Sequence, residues 1–286
     1  MDHVLTLTRK LSTASVKRYS NPYAEFEWPD HIDESEWLFS PELSSLAGTD
    51  VFDSLNEVQL RKLCFWELIN FFSLNIHGEK ALLQGLTKRL YSDWPAEISD
   101  YLHHFVGEEN KHMTLFGTFC NRYAKKVYPS KNYQIPGNFS QGEEDFLFFV
   151  RVVIFEELVD YYNLSMSRDE RLHPLSRAIN GYHHNDESRH LAFGRKITKH
   201  IFDTYSPQWS EETLANIRRY LADYIVATWK EYYNPWVYKD AQINDAYEVY
   251  QMAWDHEAQR ALRKMVSRKC LEFLTHSGIL KEEPQL

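Results

Sequence analysis

Glu108-Glu109-Asn110-Lys111-His112 and Asp186-Glu187-Ser188-Arg189-His190 are near copies of each other. Each is a Glu-x-x-His pair with an acid in front, and each follows an apolar stretch carrying a glutamate of its own. Glu79 stands 30 residues before Glu109, and Glu156 stands 31 before Glu187. On a helix, residues three apart share a face, with about 5–6 Å between their Cβ atoms. Glu109 with His112, and Glu187 with His190, can therefore each reach a cation together. The alternation of Glu with Glu-x-x-His, twice over, is how a four-helix bundle builds a two-metal carboxylate site from facing helices. An all-α bundle core with additional helices is the expected fold.

Working outward, the chain reads as long helices. Gly and Pro number only 10 each in 286 residues, which argues for uninterrupted elements rather than many turns. Helical patterning runs from Leu55 to about Tyr91, apolar on more than one side. Ser92 to Pro95 breaks it, and a second helix follows from about Ala96 to Val127. Tyr128 to Gly142 is a loop by its Pro and Gly content. A third helix covers about Glu143 to Met166, with Glu143, Glu144 and Asp145 at the positive end of its dipole. Pro174 opens a fourth, at a position proline favours, ending at Ser206-Pro207. Further helices are expected near Glu211 to Tyr233 and Asp245 to Thr275, separated by Pro235. The domain reading is a largely irregular arm over 1–50, one helical domain over 51–276 and a tail over 277–286.

Composition narrows the function. Hydrophobic residues reach 43% and aromatics 15%, enough for a sizeable, ring-rich core. The formal charge of −9 gives no support to nucleic acid or an anionic membrane as partner. Cys64, Cys120 and Cys270 are far apart and odd in number, so neither a disulfide framework nor a thiolate metal site is indicated. Free thiols, no apolar signal core between Met1 and Ser20, and no stretch long enough to span a bilayer lead to an expected cytoplasmic protein.

The donors are oxygen and imidazole, which suit iron or manganese rather than structural zinc. His183 lies four residues before Glu187 and seven before His190, on the same stripe. A third imidazole would make the site unsymmetrical, with one metal richer in nitrogen. Glu108 and Asp186 point about 100° away from the ligands that follow them. That direction suits a hydrogen bond to a ligand imidazole on a neighbouring helix, the contact that fixes such rings. Asp160, one turn after Glu156, is a similar candidate. Alternatives stand beside these choices. Glu157 in place of Glu156 would equalise the two spacings at 30, and Glu67 rivals Glu79 at the cost of the spacing match. A single Glu-x-x-His is a weak signal, because charged residues crowd solvent faces. Glu156, however, sits within Val152-Val153-Ile154-Phe155 and Leu158-Val159, where a carboxylate needs a partner. Arg151, Arg189 and Arg195 could hold a substrate carboxylate or pair with the acids.

The block from His183 to Arg195, with its His-x-x-x-Glu-x-x-His core, resembles the ligand segment of the p-aminobenzoate N-oxygenase family of non-haem di-iron arylamine oxygenases. Phe155-Glu156-Glu157-Leu158-Val159-Asp160 is similar to that family's third ligand segment, with Glu156 the matching glutamate. Gly78-Glu79 and Glu109-Asn110-Lys111-His112 resemble the first and second. The likeness spans roughly Leu55 to His200. It implies a ferritin-like fold holding two iron ions through Glu79, Glu109, His112, Glu156, His183, Glu187 and His190, while the donor types leave a manganese–iron pair open. It also implies dioxygen and a small amine as substrates, the amine passing through hydroxylamine toward nitro. No Gly-rich dinucleotide fingerprint follows a strand-like segment, so electrons are expected from an external donor. The same ligands would serve a C–H hydroxylase or desaturase, because function lives in the pocket. Iron storage and a metal-free helical interaction module are the readings from other classes. The extra helices and aromatic content are compatible with a homodimer.

Overall fold

The computed structural model describes residues 1–129 and 139–286; Pro136 and Gly137 of the expected loop lie outside them. Among the described residues ten α-helices run in chain order: α1 (Asp2–Lys17), α2 (Asp50–Ser54), α3 (Glu57–Arg89), α4 (Ala96–Phe119), α5 (Glu143–Arg168), α6 (Pro174–Tyr205), α7 (Glu211–Tyr232), α8 (Pro235–Asp240), α9 (Ala246–Asp255) and α10 (Glu257–His276). Among the described residues there is no strand, only an isolated bridge between Trp37 and Leu172.

The core is the expected four-helix bundle of ferritin-like kind. α3 pairs with α4, α5 pairs with α6, and α4–α6 and α3–α5 contacts close the ring. Local chemistry sets the start of α3 and of α6. Asn56 and Gln59 form a reciprocal capping box at α3, which satisfies two otherwise orphaned amides. Pro174 occupies the first turn of α6, where its missing N–H costs nothing, and His173 Nδ1 accepts from Leu175 N at 3.1 Å. Two glycines let α3 and α5 approach closely. A Cβ on Gly78 would lie 2.3 Å from Phe155 Cζ, and one on Gly85 would lie 1.9 Å from Phe148. Both rings therefore rest directly on the α3 backbone. α3 and α5 bury residues on several sides, which matches their weak amphipathicity in the sequence.

The first 50 residues correct the expectation of an irregular arm. α1 is a sixteen-residue helix laid across α4 and α6. Its buried stripe is Val4, Thr8, Leu11 and Ser15, and half of that stripe is polar, so no apolar periodicity announces it. Thr8 hides its hydroxyl by donating it to Val4 O at 2.8 Å. Beyond α1 the chain is irregular to Ser40, and it wraps the turn that follows α4 through Trp28 on Tyr123 and through Arg122 and Tyr123 donating to Pro29 O. The expected helix to Val127 ends at Phe119 and is followed by a π turn, Cys120–Ala124. The expected helix from Asp245 to Thr275 breaks at His256, whose ring caps α10. Ile279, Leu280 and Leu286 of the expected tail are buried.

Candidate metal centre

Three of the four bundle helices send donors to one point. One atom from each of Glu79 (α3), Glu109 and His112 (α4), and His183 and Glu187 (α6) lies within 4.8 Å of all the others, and all five residues are buried. His112 Nδ1 is 2.9 Å from Glu109 Oε2, 3.4 Å from Glu187 Oε1 and 3.9 Å from Glu79 Oε1. His183 Nε2 is 3.1 Å from Glu79 Oε1 and 3.2 Å from Glu187 Oε1. His190 Nδ1 lies 2.9 Å from Glu109 Oε1, the oxygen not facing His112, and 3.1 Å from Glu187 Oε1. Glu109 thus meets His112 and His190 through different oxygens, and Glu187 Oε1 meets all three imidazoles. Glu79, His112 and His183 belong to the five-residue cluster, and His190 adjoins its two glutamates. His183 meets the carboxylates as a third imidazole.

Helix rotation separates the two rivals on α5. Glu156 turns inward, 1% exposed, with both oxygens lacking a hydrogen-bond donor. Glu157 turns away and pairs with Arg195. On α3, Glu79 is in the cluster, whereas Glu67 accepts from Ser44 Oγ, Ser45 N and Ser45 Oγ elsewhere in the core.

The outer nitrogens are fixed across the bundle. Asp186 Oδ2 lies 3.2 Å from His112 Nε2, and Glu108 Oε2 lies 2.8 Å from His190 Nε2. Each acid in front of a motif thus serves the histidine of the other motif, leaving both Nδ1 atoms facing inward. Asp160 departs from expectation. It bonds His184 Nδ1 at 2.5 Å, not an imidazole of the cluster, because His184 is one residue, about 100°, around α6 from His183. His183 takes its outer contact from the Asn163 side-chain amide at Nδ1. Asn163 was not singled out from the sequence; its signal is the seven-residue step from Glu156, two turns along the same face of α5. Aromatic rings close the site. Phe105 stacks on His190 with centroids 3.8 Å apart, and Phe116 meets His183 edge-on at 5.1 Å. Arg189 and Arg195 are both engaged by acids of the chain itself.

Electrostatics shows the strain of assembling four carboxylates. Burial, reinforced by the charges of Glu79 and Glu187, raises Glu109 well above the usual carboxylate range. Burial also raises Glu156, with Glu187 and Glu79 adding to it. Burial pushes Glu187 up too, but His190 and His183 outweigh it and hold that carboxyl well below its usual range. Burial alone would lower the imidazoles. Glu187 and its neighbours instead raise His183 to about 10 and His190 to about 9.

A dinuclear iron site fits these residues. Glu79 Oε2, Glu187 Oε2 and both oxygens of Glu156 are buried with no hydrogen-bond donor, and such oxygens are costly unless something positive meets them. Four carboxylates match the charge of two divalent cations, and neutral imidazoles with no thiolate suit iron or a manganese–iron pair. The profile of the family described as P-aminobenzoate N-oxygenase AurF matches residues 3–278. The chain belongs to that family. The AurF-family match extends well beyond the Leu55–His200 stretch, taking in α1 and the helices after the bundle. Uncharacterized proteins of Mycobacterium tuberculosis and Mycobacterium bovis are 26% identical over 205 residues, 66% of this chain and 58% of theirs. The chain thus spans less than two thirds of the length of these curated relatives. A mutant R2-like ligand-binding oxidase with an aerobically reconstituted Mn/Fe cofactor aligns over 97% of this chain and 93% of its own. Its TM-score is 0.45 and its identity 13%. No described helix is long and apolar enough to cross a membrane.

Proposed function

We propose that this chain is a di-iron oxygenase that uses dioxygen to N-oxygenate a small amine, within one helical domain over 51–276. Glu79, His112 and His183 would hold one ion, Glu156 and His190 the other, with Glu109 and Glu187 between them. The observation that carries this is the convergence of five buried donors from α3, α4 and α6, with His190 against the same carboxylates and carboxylate oxygens, those of Glu156 on α5 included, that no protein donor satisfies. Family membership supplies the choice of nitrogen as the atom oxidised.

Reduced iron supplies the oxygen chemistry when bound. The chain's own part is positional. Asp186 and Glu108 each accept the outer N–H of an imidazole, keeping the inner nitrogen's lone pair free for a cation. At His183 the inner atom is Nε2, and the Asn163 side-chain amide holds the ring at its outer Nδ1. Phe105, Phe116 and Phe72 exclude water from the imidazole side, which strengthens every charge interaction inside. Electrons would come from a separate donor.

The test is to load the purified chain with ferrous iron, count metal per chain, then reduce it and expose it to oxygen with a panel of small amines. Hydroxylamine, nitroso or nitro products are expected. Oxidised carbon beside an intact amine would replace N-oxygenation by C–H hydroxylation. A chain that takes up no iron would sink both.

A further inference from the structure

Both imidazole-orienting acids meet at one buried cation. Arg189 Nη2 lies 2.7 Å from Glu108 Oε1 and 2.5 Å from Asp186 Oδ1. The second oxygen of each carboxylate is the one bonded to His190 or His112. The side chain of Arg189 is 6% exposed, and what covers it is the N-terminal helix. Ser15, the last residue of the buried stripe of α1, places its Oγ 3.2 Å from Arg189 Nε as acceptor. The first motif offers no substitute. Its residue at the equivalent position, Lys111, lies over the Tyr19 ring at 4.0 Å, so it too reaches the N-terminal segment rather than the acids. Among the described residues no other lysine or arginine pairs with Glu108 or Asp186.

We propose that Arg189, latched by Ser15, is a positioning residue for both halves of the metal centre at once, and that retention of both cations therefore depends on α1. The inference rests on the di-iron reading above. A guanidinium is a rigid planar fork, so fixing Nε on α1 fixes the direction in which Nη2 meets the two carboxylates. Each carboxylate then aims its free oxygen at an imidazole. Peeling α1 away lets water reach Arg189, weakens both ion pairs and frees both rings together. Loss of such an outer contact costs about 10–100-fold in metal affinity, and here a single event removes two.

The experiment uses the full chain loaded anaerobically with two ferrous ions and follows their release to excess ferrozine. Four variants are compared: Ser15→Ala, Leu11→Asp to detach α1, Arg189→Met, and Arg189→Lys to keep the charge without the fork. Tryptic cleavage after Lys10 and Lys17 reports detachment, and Mössbauer spectra of the ferrous protein report each ion's surroundings. Ser15→Ala is expected to speed release of both ions about 3–10-fold, somewhat less than a full outer contact. Leu11→Asp and Arg189→Met are expected to speed both by about 10–100-fold, with both Mössbauer doublets altered and Arg189→Lys restoring part of the loss. The proposal is overturned if Leu11→Asp accelerates cleavage yet leaves release at the parental rate. Acceleration of only one ion by Arg189→Met would also overturn it, as would parental release and spectra in Ser15→Ala. A parent chain that binds no iron would instead overturn the di-iron reading itself.

Discussion

Helix α3 buries two glutamates three turns apart, and they live in opposite worlds. Glu67 is surrounded by donors: two serine hydroxyls and a backbone amide all point at it, and Ser45 is in turn bonded to Tyr238. Glu79 is surrounded by acceptors and imidazoles, and its Oε2 meets no donor at all. Burial raises Glu67 to about 7, with the serines pulling the other way. One carboxylate is completed by protons the protein already carries; the other is completed only by something positive from outside. A buried acid is therefore not by itself a metal ligand. The sign of its neighbours decides.

That comparison can be broken most severely at the metal side. Glu187→Ala removes the carboxylate shared by both half-sites, so metal analysis should show loss of the paired site and oxygen consumption with reduced protein should fall to background. Retention of two firmly held ions would contradict the shared role. Next in size is metal removal. A protein loaded at about a thousand times its Kd gains about 4 kcal/mol, and a chain of this size should melt roughly 8–16 °C higher than its stripped form. Calorimetry of both forms measures it, and coincident melting would mean the carboxylates are already satisfied.

The Glu67 side is tested by pH. The folded protein holds a proton on Glu67 up to about 7, whereas the unfolded chain releases it near the ordinary value of about 4.5. Between those values the folded state binds more protons, so stability falls as pH rises through that window and levels off above it. The whole effect is on the order of 3 kcal/mol at most. Glu67→Gln cannot titrate, so urea melts of parent and variant should diverge from pH 5 to 7, the parent losing more. Parallel curves would show that the serines outweigh burial. The smallest effect concerns the outer acids. Asp186→Asn should weaken metal retention by about 10–100-fold, while Asp160→Asn, whose partner is His184, should leave it at the parental level. Equal losses in chelator competition would mean Asp160 acts on the centre after all.

How much was legible follows from what each feature depends on. Glu109, His112, Glu187 and His190 were readable because an i, i+3 pair is brought together by one helix alone. Glu108 and Asp186 were readable as outer acids because a 100° step from a ligand points toward the next helix. Glu156 over Glu157 was open by spacing, since one residue changes the count and only rotation of α5 against α6 sends one inward and the other onto Arg195. Asp160, expected beside a cluster imidazole, meets His184 instead, and Asn163 meets His183, because the two lie on different faces of α5 and reach different rings of α6. α1 escaped notice because Thr8 and Ser15 break its apolar stripe.

The sequence by itself determined the helices of the bundle, the donor types and their pairing within each motif, because all of these follow from local periodicity and side-chain chemistry. The tertiary structure alone decided which acid serves which imidazole, that Arg189 joins both acids, and that the N-terminal helix covers that junction. Those relations run between helices far apart in the chain, and only packing sets the rotation and distance that a hydrogen bond requires.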